Sequence, residues 1–209
     1  SIVVLRCMID SQSEIIDTHS EIIDWPLAGR PAANLFENSI EVLEELEKSK
    51  KKYVLLTNAP RPNYTVMEYL KKMGLDEKKA QHVYTSGQAA LDQLKNMDSK
   101  TFFHIGPPRD FDLFKSFENK KTEKIDSSDF LLCTGLFDDH QTDLKFYEKL
   151  LLDHIKKKMI CTNPDLVVDR GEVREFCAGT IAKVFEMLGG EVKYFGKPYP
   201  EVYEKAFNN

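Results

Sequence analysis

Short apolar segments alternate with amphipathic ones along most of this chain, and that alternation limits its fold more than any other feature. Residues Asn38 to Lys52 set Ile40, Val42, Leu43 and Leu46 against Glu41, Glu44, Glu45 and Glu47, which predicts a helix. Tyr53-Val54-Leu55-Leu56 predicts a short buried strand, ended by the two-proline loop Thr57-Asn58-Ala59-Pro60-Arg61-Pro62. Tyr64 to Met73 predicts a second helix with Gly74 past its end. His82-Val83-Tyr84 predicts a further strand, and Ser86 a cap for a helix through Leu94. Such alternation is the mark of βαβ units and a parallel sheet in an α/β fold. Right-handed crossovers bring the strand ends to one edge, where open α/β sheets bind ligands, so Thr57 and Asn58 are expected there.

The rhythm resumes after Lys100. Strands are predicted at Thr101 to Ile105, Asp129 to Cys133, Met159 to Cys161 and Glu191 to Phe195. Helices are predicted over Phe111 to Phe117, Lys145 to Lys156, Ala178 to Leu188 and from Tyr199 to Phe207, the third stopped by Gly189-Gly190. The polar stretch Glu118 to Ser128 reads as a surface connection, and Phe102, Phe103, Phe111, Phe114 and Phe117 read as core.

Composition excludes some classes of function. A chain of 209 residues buries enough surface to hold a core without disulfides or a structural metal. Lys and Arg number 29 against 34 Asp and Glu, a net charge of −5, which argues against nucleic acid as a partner. The runs Lys50 to Lys52 and Lys156 to Lys158 read as solvated helix ends. No apolar run approaches the roughly 20 residues of a membrane helix, so membrane insertion is not expected. Cys7, Cys133, Cys161 and Cys177 form no C-x-x-C pair, which fits free thiols in a reducing compartment, the cytoplasm or the mitochondrial matrix. The initial Ser1 is compatible with removal of an import presequence and equally with an incomplete chain.

The chemistry lies in three pieces: an Asp after a short apolar segment, a strand ending in Thr57-Asn58, and a strand ending in Gly196-Lys197-Pro198. Phosphoryl transfer needs a carboxylate nucleophile or metal ligand, hydroxyl and amide donors, and a fixed cation. Thr57 and Asn58 supply the donors in such a reading and Lys197 the cation; the plainer reading is a strand-end turn and a solvated lysine. Asp138, Asp139 and His140 read as a surface turn, and His19, His82, His104 and His154 as structural.

Val54 to Pro62 and Tyr194 to Pro198 resemble motifs II and III of the haloacid dehalogenase-like (HAD) hydrolases. Thr134 to Asp139, Cys161 to Asp165 and Cys177 to Ala182 resemble cap and post-cap segments of class IIA, whose C2 cap is inserted between those motifs. The resemblance covers residues 11 to 209. It implies a Rossmann-like core at 11–97 and 173–209, an α/β cap at 98–172 and an N-terminal extension at 1–10. It also implies a Mg²⁺-dependent phosphatase that works through an aspartyl-phosphate on a small phosphate ester. Asp24 takes the place of the motif I nucleophile and metal ligand, lying 33 residues before Thr57 (57 − 24), with Asp10 as its rival after the better strand Ile2 to Met8. Arg61, Asn163 and Asp165, with Asn58, are the substrate-facing candidates; Asn163 and Asp165 read equally well as an Asx turn before and after Pro164.

Two departures from the family pattern shape the functional expectation. Trp25-Pro26 replaces the glycine turn expected after Asp24, and Pro26 removes a backbone N–H from a loop that cradles phosphate. Only 12 residues follow Lys197 (209 − 197), with no Gly-Asp segment for motif IV, so the core reads as C-terminally truncated. The sequence therefore predicts a catalytically impaired HAD-like protein with no cofactor, a binding or structural subunit whose open sheet edge a protein partner covers. The alternative is an active phosphatase, with Mg²⁺, read from an incomplete chain.

Overall fold

The computed structural model describes residues 2–7, 22–25, 28–29, 34–35, 37–97, 99–113, 115–170 and 173–208. In chain order the elements begin with β1 (Ile2–Cys7), β2 (Ile22–Trp25), and the short antiparallel pair β3 (Ala28–Gly29) and β4 (Asn34–Leu35). Then follow α1 (Glu37–Lys48), β5 (Lys52–Thr57), α2 (Asn63–Lys72), α3 (Glu77–Ala80), β6 (Val83–Thr85) and α4 (Ser86–Lys95). The later part holds β7 (Phe102–Ile105), β8 (Lys121–Thr122), β9 (Phe130–Cys133), α5 (Leu144–Leu152) and β10 (Lys158–Cys161). The hairpin β11 (Val167–Arg170) and β12 (Val173–Phe176) leads to α6 (Ala178–Met187), β13 (Glu191–Tyr194) and α7 (Pro200–Phe207).

Two parallel sheets result. The first has the order β2-β1-β5-β6, the second β13-β10-β9-β7-β8. Residues 2–7, set apart in the sequence reading as an extension, form β1 and lie between β2 and β5. Strand β13, which that reading gives to the core, pairs with β10 in the second sheet.

Alternation along the strands decides how the sheets are covered. In β9, Phe130 and Leu132 enter one apolar cluster while Leu131 and Cys133 enter another, as the period of two requires. Near-continuous apolar runs such as Phe130 to Cys133 mark strands buried on both faces, the usual state of parallel sheets. Leu131, Cys133, Met159 and Cys161 pack under α5 and α6, through Tyr147, Leu151, Ile181 and Phe185. The outer face of the first sheet packs Tyr53 and Leu55 against Leu43 of α1 and Val66 and Leu70 of α2.

The remaining cluster joins both sheets. Leu56 and Tyr84 of the first sheet share it with Phe102, Phe130, Leu132 and Ile160 of the second, with Ala89, Ala90 and Leu94 of α4 and Val202 and Ala206 of α7 between them. Small residues on α4 are what let the helix sit between two sheets.

Local capping differs in detail from expectation. Thr85, not Ser86, caps α4, its hydroxyl accepting from the Gln88 N–H at 2.9 Å. Ser86 instead donates to the Ala59 carbonyl at 3.0 Å. Residues 108–113 and 115–120 form 3₁₀ turns rather than the α-helix predicted over Phe111 to Phe117. Helix α5 ends at Leu152, short of the predicted Lys156. The hairpin β11–β12 was not anticipated at all. Phe102 and Phe117 are core residues as expected; the side chains of Phe111 and Phe114 lie outside the described residues. Cys133 and Cys161 are free and buried, and burial pushes the Cys161 thiol up to about 12.

One polar chain runs through the second sheet toward the first. His104 Nε2 lies 2.8 Å from Thr134 Oγ1, and the Thr134 hydroxyl donates to Asp110. The Asp110 carboxylate in turn pairs with Arg61 Nη2 at 3.1 Å. Burial first, then Lys121, pushes the His104 pKa down to about 3, so the ring is neutral and donates to Thr134.

Two outcomes are expected. Leu132→Ala opens the cluster shared by both sheets and is expected to cost about 2–5 kcal/mol in urea unfolding, still in one transition. From an ordinary histidine value of 6.5 down to about 3, the unfolded chain protonates His104 and the folded chain does not. The ring therefore subtracts stability as pH falls through that window. His104→Gln is expected to flatten the slope of unfolding free energy against pH there by up to about one proton.

Candidate functional site

The site forms where the ends of β5 and β13 meet, so each sheet delivers one half of it. Thr57 ends β5, in register with Thr85 of β6. Its side chain is 2% exposed as a residue, and its Oγ1 accepts from the Ala59 N–H at 3.3 Å. The loop beyond is clamped to the start of α4. Ala59 O accepts from Ser86 Oγ and, at 3.1 Å, from the Gly87 N–H, while Arg61 O accepts from the Thr85 hydroxyl. A Cβ on Gly87 would lie 2.3 Å from the Arg61 backbone nitrogen, so only glycine admits this approach.

Asn58 joins the two halves. Its Nδ2 donates to the Lys197 carbonyl at 3.0 Å and to Asp165 Oδ1 at 2.9 Å. The Lys197 N–H donates back to Asn58 Oδ1 at 2.6 Å. A primary amide matches a peptide group donor for acceptor, which is why an Asn here can hold a main-chain segment as a strand neighbour would. Gly196 makes the approach possible: its φ is +142°, and a Cβ would stand 2.8 Å from Asn58 Oδ1 and 2.5 Å from Pro164 Cδ. The Lys197–Pro198 peptide is cis.

Lys197 is 7% exposed, and its charge acts on Asp165. Burial raises the Asp165 carboxyl above its ordinary value; the hydrogen bond from Asn58 and the Lys197 charge pull it back. Asn163 Oδ1 accepts from the Asp165 N–H at 2.9 Å, which is an Asx turn. The structure thus brings Thr57, Asn58, Asp165 and Lys197 together, with Asn163 supporting Asp165 through the turn. Arg61 is engaged by Asp110, which burial shifts upward and Arg61 shifts back.

Asp24 lies in β2, paired in register with Arg6 of β1, which is in turn paired with Leu56. Its backbone therefore stands one row before Thr57 and two strands away. Strand β1, which leads toward the rival Asp10, is the direct neighbour of β5. The side chain of Asp24, and Asp10 altogether, lie outside the described residues. Among the described residues no group of three or more His, Cys, Asp or Glu gathers as a metal cage. Also among the described residues, no helix is long and apolar enough to cross a membrane.

Sequence reasoning did not single out Asp110 or Thr134; it read His104 as structural, and the buried ring bonded to Thr134 fits that reading. A Cβ on Gly106 would meet Thr134 Oγ1 at 2.1 Å and His104 Nε2 at 2.7 Å.

Known proteins share this fold. The family profile described as haloacid dehalogenase-like hydrolase matches residues 31–119. A haloacid dehalogenase-like hydrolase from Brucella suis is 30% identical, with a TM-score of 0.71 over 84% of this chain and 65% of its own. This chain thus spans slightly less than two thirds of that protein's length. A 4-nitrophenylphosphatase from Thermotoga maritima is similar in fold, with a TM-score of 0.69 and 23% identity over 99% of this chain and 72% of its own. A p-nitrophenyl phosphatase from Archaeoglobus fulgidus has a TM-score of 0.69 and 16% identity over 99% and 72%. No curated protein matches the chain. Residues 31–119 thus match the haloacid dehalogenase-like hydrolase family profile, and the fold of the chain, a parallel sheet with flanking helices, is that of the haloacid dehalogenase-like hydrolases.

Proposed function

We propose that this chain binds the phosphoryl group of a small phosphate ester between Thr57 and Lys197. The observation that supports this reading is the latch of Asn58 on the Lys197 main chain, which brings the backbone of a buried lysine to the residue that follows the strand-end Thr57. Such a pair of a fixed charge and a fixed donor is suited to phosphoryl oxygens, because neither has to reorganise when the ligand arrives. Residues 98–172, whose sheet also takes in β13, then act as the cap that selects the ester's alcohol part, over the core that holds β1, β5 and β6. Asp165 and Asn58 stand at the seam between them, and Arg61 contributes a further cation.

In the hydrolytic form of this reading, Asp24 is the nucleophile and would be a ligand of Mg²⁺, which phosphatases of this family generally use. The metal, when bound, supplies charge neutralisation at the phosphoryl oxygens. Thr57 and Lys197 hold two of those oxygens, and the cap limits water access.

A second reading keeps the binding and drops the turnover. Its observation is the Asp24-Trp25-Pro26 segment, where Pro26 cannot supply the N–H that a phosphate cradle needs, with β1 standing between β2 and β5. The chain is then a binding or structural subunit, catalytically impaired, beside a protein partner.

Hydrolysis of 4-nitrophenyl phosphate with Mg²⁺ separates the two. In the first reading the parent turns over, Lys197→Ala loses roughly 10²–10³-fold in rate, and Asp24→Asn loses it altogether. In the second, parent and Asp24→Asn show the same background, while calorimetry still detects inorganic phosphate binding that Lys197→Ala abolishes. A parent that neither turns over the ester nor binds phosphate sinks both.

A further inference from the structure

Asp165 is held at its main chain from both sides. Its N–H donates to Asn163 Oδ1 at 2.9 Å, and its carbonyl accepts from the Gly179 N–H, at the start of α6, at 3.1 Å. Gly179 is required for that contact: a Cβ there would lie 2.1 Å from the Pro164 carbonyl oxygen and 2.6 Å from that of Asp165. The carboxylate so fixed accepts from Asn58 Nδ2 at 2.9 Å. The same Nδ2 donates to the Lys197 carbonyl, and Asn58 Oδ1 takes the Lys197 N–H. One amide group therefore has all its short contacts divided between Asp165 and the main chain of Lys197.

We propose that Asp165 is a positioning residue for Lys197, acting through Asn58 to fix the lysine's main chain at the seam of the two sheets. This rests on the reading that Lys197 binds the phosphoryl group only for its functional consequence; the positioning itself is a property of the unliganded chain. An Asn side chain rotates freely about its terminal bond unless its two ends are told apart. Lys197 alone does not lock it, since donor and acceptor could each find other partners. The carboxylate is an acceptor only, so it admits the amide nitrogen and refuses the oxygen. That choice presents Oδ1 to the Lys197 N–H and sets the register of the Gly196-Lys197 turn against Thr57. Asp165 lies on the loop after β10 and Lys197 on the loop after β13, adjacent strands of one sheet, so both move together if they move at all.

The test is amide exchange at Lys197 joined to binding of inorganic phosphate, in the chain as it stands. Asp165→Ala removes the acceptor and is expected to speed exchange of the Lys197 N–H by about tenfold or more, while the amides of β5 keep their protection. Asp165→Asn restores an oxygen to receive Asn58 Nδ2 and is expected to stay within about threefold of the parent. Phosphate affinity, read by calorimetry, follows the same order: weakened about tenfold in Asp165→Ala and recovered in Asp165→Asn. If β5 also loses protection in Asp165→Ala, Asp165→Glu carries the test, since its displaced carboxylate should loosen Lys197 alone. Unchanged Lys197 exchange in a folded Asp165→Ala, or an Asp165→Asn as loose as Asp165→Ala, overturns the proposal. Lys197→Ala binding phosphate as the parent does would overturn the phosphoryl reading instead and leave the exchange result to decide the positioning role.

Discussion

Everything distinctive about the site depends on one side-chain amide. Thr57 and Lys197 come from different sheets, and nothing in either sheet's own ladder sets their distance. Asn58 does so by pairing with the Lys197 peptide group as an adjacent strand would, with bonds of 3.0 and 2.6 Å. Leu would fill similar space and leave the Lys197 N–H and carbonyl unpaired in a buried setting, at a cost of about 1–3 kcal/mol each. Asp would take the N–H but repel the carbonyl and Asp165. Gly196 is the counterpart of this choice, since any side chain there would occupy the space of the Asn58 oxygen.

The seam around that amide is stiff for a different reason. Inter-domain surfaces within a chain are usually polar and permit relative motion. Here Leu56 and Tyr84 share one apolar cluster with Phe102, Leu132 and Ile160, with α4 and α7 wedged between. Separating the two sheets would expose that cluster to water. It would also leave Asp110, 6% exposed, without Arg61. Geometry across the seam is therefore held by apolar burial and tuned by a few hydrogen bonds, the division of labour expected of a preorganised site.

How far the sequence reached can be argued element by element. The strand Lys52–Thr57 and the turn at Gly196 were legible because both are local: an apolar run, then residues whose turn chemistry admits few alternatives. The Asx turn at Asn163 was legible on the same ground, as one of two readings of equal standing. What was not legible is pairing at long range. No local signal says that β13 joins β10, or that β1 rather than β2 stands beside β5. Spacing to Thr57 pointed to Asp24, while strand quality pointed to the segment that forms β1. The sheet order shows that these two criteria pick different strands, because parallel pairing is decided by tertiary packing rather than by interval. Asp110 and Thr134 escaped for a related reason: each is an ordinary polar residue in its own loop, and only folding brings them to Arg61 and His104.

The electrostatics of the seam close the argument about what it can hold. A buried ammonium is costly unless a counter-charge shares its surroundings. Asp165 provides one, and the mutual effect shows in its carboxyl, which burial raises and Lys197 lowers. Asn58 stands between the carboxylate and the lysine's main chain, donating its N–H groups to the Asp165 oxygen and to the Lys197 carbonyl. The carboxylate oxygen takes its hydrogen bond from Asn58, while Lys197 acts on it through its charge. Charge and orientation are thus set separately at Lys197: its charge acts on Asp165 through space, and its main chain is held by Asn58.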